Sequence, residues 1–432
     1  MRNFGDKLQY WERRQSSMSV AQDTQPSGEW RSFRRLPELA AAPLAFRTAL
    51  KIIASNWSIG SVTFVLPSGQ ELYIRGNVAG LEARLIIKDF NFIRRALSAG
   101  DIGFAEAYMA GEWDSPDIPA LLNVFAANWD RLHAVTMGNP LAWTINRIRH
   151  AFRGNTRRGS KKNIHAHYDL GNAFYECWLD PTMTYSAARY ERPGQALSEA
   201  QTAKYRALAQ QMGLQSGQSV LEIGCGWGGF AEFAAREVGA RVTAITISEE
   251  QFKFAKDRMF RQQLSDRADI RLVDYRDVEG QFDRVASIEM FEAVGERYWP
   301  QYFGKIHDSL NPGGRAGLQV ITIRDQDFEE YRSRADFIQK YIFPGGMLPS
   351  EERLKKVTAK AGLGWTAIER FGQDYADTLA EWHKSFDGAW HDIRPLGFDE
   401  RFRKLWKFYL SYCEAGFRTG RTNVVQLSLA KA

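Results

Sequence analysis

Cysteine is scarce in this chain of 432 residues: Cys177, Cys225 and Cys413 are the whole set. So odd and sparse a complement excludes a disulfide framework and fits reduced thiols in a cytoplasmic chain. No apolar run reaches the roughly 20 residues that cross a bilayer, and the N-terminus lacks the apolar core of a signal peptide. Contact with lipid is therefore expected from the cytoplasmic side, as peripheral association with the inner face of a membrane. His165 and His167 have no further ligand set at metal-binding spacing, so no metal is expected and a structural or substrate-shaping role suits them better. Acids are absent from residues 142–168, which carry Arg147, Arg149, Arg153, Arg157, Arg158, Lys161 and Lys162. That segment reads either as a solvated linker or as a polybasic strip facing anionic phospholipid headgroups.

The balance of the chain is ordinary for a globular protein, at 44% hydrophobic and 25% charged, with aromatics at 13% and a net charge of +6. The charge favours an anionic partner and the aromatics suit a pocket for a long apolar ligand. Four regions are expected: a loosely attached tail over 1–30, a small α+β N-terminal domain over 31–140 associated with lipid, a basic linker over 141–163 and a catalytic domain over 164–432. Within the small domain, Ser61–Leu66 and Glu71–Arg75 flank a Pro-Ser-Gly turn and read as a hairpin. Ala83–Lys88 reads as a third strand. Asp89–Ala99 has helical spacing and is expected to stop at Gly100. Trp113 and Leu121–Phe125 suggest further packed helix.

Beyond residue 165, strands fit at 218–224, 241–247, 268–274, 282–288, 314–323, 365–371 and 422–430, with helices between most of them. That alternation implies an α/β fold, a Rossmann-like seven-stranded sheet. Val220–Gly229 (V-L-E-I-G-C-G-W-G-G) is its most informative stretch. A buried strand breaks into Gly224, Gly226, Gly228 and Gly229 before a helix, a turn that lets a nucleotide-like cofactor approach the backbone. Glu222, two residues before the first glycine, is typical of S-adenosylmethionine enzymes. The next strand ends in Thr246 and Ser248 rather than the acid that a dinucleotide site wants. Two insertions interrupt the pattern, at 324–363 and 373–420. The second carries apolar stripes (Trp382, Phe386, Trp390; Phe402, Trp406, Tyr409, Cys413, Phe417) that suit either core or the wall of an acyl pocket.

Several motifs in order resemble the cyclopropane-fatty-acid synthase family of S-adenosylmethionine-dependent methyltransferases: His167–Asn172, Leu179–Ser186, Val220–Gly229, Ile245–Gln251, Asp274–Asp277, Met290–Gly295 and Tyr341–Ser350. The resemblance implies one-carbon transfer from S-adenosylmethionine to the double bond of an unsaturated acyl chain in membrane phospholipid. It implies a methyltransferase sheet with helical lipid-covering insertions, self-association as a homo-oligomer, and no nucleic-acid partner. Cofactor contacts fall by resemblance on Tyr185, Ser186, Gly224, Gly226, Thr246, Gln251, Asp274, Tyr275 and Arg276, beside Glu222 and Gly228 of the turn.

The family's base is a bicarbonate-like anion held by a Cys, a Glu, a His and a Tyr. Glu292 and Tyr375 match the Glu and the Tyr. The Cys position holds Ala187, the His position Gln319, and an additional Glu289 stands three residues before Glu292. Gln319 can still donate a hydrogen bond to an anion but carries no charge. Three readings follow: Glu289 or Glu292 supplies the base directly, the deprotonation route shifts toward a methylated olefin, or Glu289 is only a structural partner. A nucleic-acid methyltransferase fits the charge, but no Asn-Pro-Pro-Tyr-type motif is present. A lipid-binding relative without activity is the remaining alternative.

Overall fold

The computed structural model describes residues 42–136 and 170–431. The expected tail, the basic segment and both His165 and His167 lie outside the described residues. Two sheets organise what is described. The first is four-stranded, in the order β2-β1-β3-β4, from β1 (Ile59–Val65), β2 (Glu71–Arg75), β3 (Val78–Ile87) and β4 (Trp113–Asp114). β1 and β2 form the expected antiparallel hairpin, and β3 adds parallel to β1. Helices α1 (Leu44–Asn56), α2 (Asn91–Met109) and α3 (Ile118–Ala127) accompany it.

Two details correct the sequence reading. The helix that starts near Asp89 does not stop at Gly100. That glycine takes φ 59° and ψ −132°, kinks the helix, and the chain resumes helically to Met109. A residue with no Cβ accepts that conformation, and the packing of Ala105, Ala107 and Tyr108 holds the second segment. Trp113 is not helical; it sits in the short strand β4, opposite Ile87.

The second sheet has seven strands in the order β10-β11-β9-β8-β5-β6-β7. They are β5 (Ser219–Ile223), β6 (Arg241–Thr246), β7 (Ala268–Leu272), β8 (Phe282–Ile288), β9 (Leu310–Ile323), β10 (Leu363–Arg370) and β11 (Thr422–Lys431). β5 to β9 pair in parallel, and β11 runs antiparallel between β9 and β10. All seven fall where the alternation of apolar runs puts them, shifted at most by a few residues. β5 pairs with both β6 and β8, so strand order reverses there, and ligands of open α/β sheets bind beyond such a point. Its Val220, Leu221 and Ile223 are buried, as a central strand covered on both faces requires.

The helices used below are α4 (Leu197–Gln211), α5 (Gly229–Phe233), α6 (Glu249–Arg261), α7 (Gly372–Gly388) and α8 (Glu400–Arg418). α8 joins the two sheets. Its buried Phe408 meets Phe104, Tyr108 and Trp113, with centroids 6.1–6.5 Å apart. Phe104 in turn stacks on Trp113 at 4.3 Å. Polar contacts edge this seam: the Asp101 carboxylate accepts from the Tyr412 hydroxyl and the Phe337 N–H, and Asp130 accepts from Arg324 and Arg421.

Truncating Phe408 removes a ring shared by five aromatic partners, Phe337 and Tyr412 being the other two. Phe408→Ala is expected to lower stability by about 3–5 kcal/mol, read from urea denaturation; a loss below about 1 kcal/mol would mean the seam is not a tightly packed core.

Candidate active site

The turn after β5 is built as its glycines require. Gly224 adopts φ 85°, and a Cβ there would lie 2.7 Å from Met290 Cγ. At Gly229 a Cβ would come within 2.4 Å of the Tyr205 hydroxyl oxygen. Gly226, at φ 51°, is different: nothing lies within 4 Å of its would-be Cβ, so it borders open space where a ligand can approach the backbone. Gly228 does not line that space. It faces Ala255 and precedes α5, so its part is the turn itself.

The open space is a cavity of about 1810 Å³. Single small-ligand pockets run to roughly 1,000 Å³, so there is room for a cofactor and a hydrocarbon chain together. Tyr185, Ser186, Glu222, Gly224, Gly226, Thr246, Gln251, Asp274, Tyr275 and Arg276 all line it, as do Glu289, Glu292 and Tyr375. Gln319 does not line it but reaches it through Glu289. The stripe on α8 divides: Tyr409, Cys413 and Phe417 face the cavity, whereas Trp406 packs in the aromatic core with Trp382 and Phe386 of α7. The α1–α3 layer closes another part of the wall with Ile52, Ile93, Leu97 and Phe125.

The residues present fit S-adenosylmethionine. Beside the open face of Gly226, the lining residues Glu222 and Tyr275 bury polar atoms, Oε2 and the hydroxyl, without a partner. Such atoms are costly unless a ligand satisfies them. At the tip of β6 the Thr246 hydroxyl donates to Gln251 Oε1 at 2.9 Å, and Ser248 caps α6 by accepting from the Gln251 N–H. The Asp274 carboxylate accepts from the Arg276 N–H and fixes the turn after β7. Tyr185 completes the rim: its hydroxyl hydrogen-bonds Tyr409 at 2.6 Å, and its ring packs among Trp178, Tyr175 and Trp382.

The chemistry converges on Glu289. Its Oε1 accepts from the Ala187 backbone N–H at 2.8 Å and from Gln319 Nε2 at 2.7 Å, and its Oε2 accepts from the Tyr375 hydroxyl at 2.8 Å. Gln426 Nε2 donates to Gln319 Oε1 at 3.0 Å, which fixes the Gln319 amide with its nitrogen toward Glu289. Glu289 itself has φ 48°, a left-handed conformation that side chains other than glycine seldom adopt and that costs about 1–3 kcal/mol. The strained backbone turns the side chain back into the site. Glu292, three residues on, takes one hydrogen bond, from the Ile321 N–H at 2.6 Å, and its Oε2 is buried without a partner.

Burial raises the Glu289 pKa, while Lys204, Gln319, the Ala187 N–H and Tyr375 pull it down. Burial and then the charge of Glu289 push Glu292 up to about 8. Burial likewise lifts Glu222 to about 8 and drives the Tyr375 hydroxyl well above its usual value. Two close carboxyls with unequal hydrogen bonding divide the roles: Glu289, with three donors, is the better anion, and Glu292 holds its proton more readily.

Sequence reasoning missed the support behind this group. Gln201 and Lys204, one helical turn apart on the buried face of α4, hold Ser186: Gln201 Nε2 donates to its carbonyl and Lys204 Nζ to its hydroxyl. Two large polar residues at i, i+3 among alanines and Leu208 were the available signal.

Residues 155–427 match the family model for mycolic acid cyclopropane synthetase. A tuberculostearic acid methyltransferase of Mycobacterium tuberculosis is 40% identical over 78% of this chain and 81% of its own. A cyclopropane-fatty-acyl-phospholipid synthase of Escherichia coli is 33% identical over 81% of this chain and 88% of its own. Among solved structures, mycolic acid cyclopropane synthase CmaA1 complexed with SAH and CTAB is 29% identical, with a TM-score of 0.59 over 63% of this chain and 98% of that one. The turn and the reversal in strand order thus belong together: the chain is a member of the mycolic acid cyclopropane synthetase family, an S-adenosylmethionine-dependent methyltransferase.

Proposed function

We propose that this enzyme transfers a one-carbon unit to the double bond of an unsaturated fatty acyl chain in membrane phospholipid, that Glu289 is the base, and that the product is methyl-branched. One observation carries the reading: the Glu289 carboxylate takes hydrogen bonds from Ala187, Gln319 and Tyr375. Those are the positions where the family holds its bicarbonate-like anion, so a side chain of this protein replaces the bound ion. The 40% identity to a protein named as a tuberculostearic acid methyltransferase favours the branched product; the 33% identity to a named cyclopropane synthase supports a ring as the second reading. The net charge of +6 and the basic stretch at 142–168 support an anionic membrane surface as the source of substrate.

S-adenosylmethionine would supply an electrophilic methyl group, the carbon–sulfur bond pair returning to sulfur as the neutral thioether leaves, and Tyr185, Gly226, Thr246, Gln251 and the Asp274–Arg276 turn would hold it. The alkene's π pair forms the new carbon–carbon bond, which leaves a cation on the neighbouring carbon. Aromatic faces of Tyr185 and Tyr409 and the carboxylate of Glu289 are suited to that charge. Glu289 then takes a proton from a carbon next to the cation, and the C–H pair becomes the new double bond. Loss of a proton from the added methyl would instead close a ring. Because burial raises the Glu289 pKa, the base works nearer to neutrality than an exposed glutamate does.

Expression in a host without such enzymes is expected to add one methylene unit to unsaturated phospholipid chains, seen by mass spectrometry. NMR of the product should show a branched alkene; a cyclopropane would contradict the branch assignment, and unaltered lipids the activity. Glu289→Gln is expected to lower kcat by about 10²–10⁴-fold with cofactor binding retained, and normal turnover would remove Glu289 as the base. In the wild type, kcat/KM should rise with pH through an apparent pKa above the usual glutamate value, since the base acts only when ionised. An acid limb at or below that value would contradict the burial argument.

A further inference from the structure

Lys204 is a buried charged group near Glu289 that the mechanism above does not use. It lies on α4 with 0% of its surface exposed. Its Nζ donates to the Ser186 hydroxyl at 2.7 Å and lies 4.5 Å from the Tyr205 ring centroid. Among the described residues no carboxylate forms an ion pair with it. A lysine buried this deeply without a direct carboxylate is expensive, and holding one serine hydroxyl is a task that a neutral donor could perform. What the ammonium adds is charge, and that charge acts on Glu289 more than on Asp180 or Glu222.

The surroundings make the relation mutual. Ser186 and Ala187 are adjacent, and they carry the two halves of it: Ser186 accepts from Lys204, and Ala187 donates its N–H to Glu289. Gln426 ties the same two sides together from β11, donating to the Lys204 carbonyl at 3.1 Å as well as to Gln319. The other titratable groups that bear on the pair are Tyr375 from α7, Glu292 after β8, Glu222 on β5 and Asp180 before Tyr185. None of these carries a positive charge, and among the described residues Lys204 is the cation with the largest effect on Glu289.

We propose that Lys204 is a positioning residue that serves as counter-charge to Glu289: its ammonium keeps the buried carboxylate ionised, and so competent as a base, while its hydrogen bond holds the Tyr185–Ala187 segment in place. The arrangement spares the site a direct ion pair, which would occupy the carboxylate oxygens that must receive a proton. Burial draws the Lys204 pKa down to about 7, so the counter-charge itself is lost as pH rises through neutrality. The base and its counter-charge therefore coexist over a limited pH window, ionised Glu289 below and the ammonium above setting its two edges.

Two reciprocal measurements test this, and they rest differently on the assignment of Glu289 as base. First, Lys204→Met should move the acid limb of kcat/KM upward by about one pH unit or more, whereas Lys204→Arg, which keeps the charge, should leave that limb near its wild-type position. A Lys204→Met enzyme that is folded and slow but has an unmoved limb would reduce Lys204 to a latch and overturn the proposal. Second, the lysine 13Cε resonances of labelled protein can be titrated in the wild type and in the isosteric Glu289→Gln variant, without substrate or turnover. One lysine should titrate far below the others in the wild type, be missing in Lys204→Arg, and fall by a further pH unit or more in Glu289→Gln. An unchanged titration in that variant would overturn the coupling even if Lys204→Met does not fold. If the NMR shift is found but Glu289→Gln turns over normally, the pair stands and the base lies elsewhere.

Discussion

A carboxylate held by donors from three separate parts of the chain is the constraint on which the site depends. The Ala187 N–H comes from the loop before α4, Gln319 from β9 and Tyr375 from α7, and all three meet Glu289 at 2.7–2.8 Å. None of these elements is near another in sequence, so the whole sheet must be assembled before the cage exists. The backbone at Glu289 is bent into the left-handed region to reach it. Strain of that kind persists only where surrounding contacts over-determine it.

The cage also explains why two departures from the family pattern occur together. A thiol and an imidazole suit a mobile anion that must be captured, because both can adjust or carry charge. Once a glutamate is tethered in the same place, only a backbone N–H and a neutral amide are needed to orient it. Ala187 then adds only a methyl group, and Gln319 donates without bringing a titratable proton. Gln426 keeps the amide from flipping. In the proposal above, the remaining charge is balanced at a distance by Lys204 rather than by contact.

Much of this was legible in the sequence, and the limits have physical causes. The strands of the large sheet were readable because buried parallel strands are continuous apolar runs, with glycine and polar residues between them. The turn from Val220 to Gly229 was readable because its glycines serve where the backbone turns left-handed or a Cβ would clash. Gly100 misled because a glycine both ends helices and permits kinks, and only the packing of Ala105, Ala107 and Tyr108 decides between them. Trp113 misled because a two-residue strand has no periodicity. Glu289 stood out by position, yet its partners did not: convergence of residues 187, 289, 319 and 375 is a property of the fold. Lys204 was missed because a lysine on a helix is ordinarily solvated, and the one local sign of its burial is its place with Gln201 on a face among alanines and Leu208.

The central claim is that Glu289 has taken the place of a bound anion, and dependence on that anion measures it most directly. Turnover of the wild type in buffer stripped of bicarbonate should equal turnover with bicarbonate restored. Glu289→Gly, which relieves the strained backbone and empties the cage, should be nearly inactive in stripped buffer and regain activity when bicarbonate or formate is added. A wild-type enzyme that stalls without bicarbonate would contradict the account.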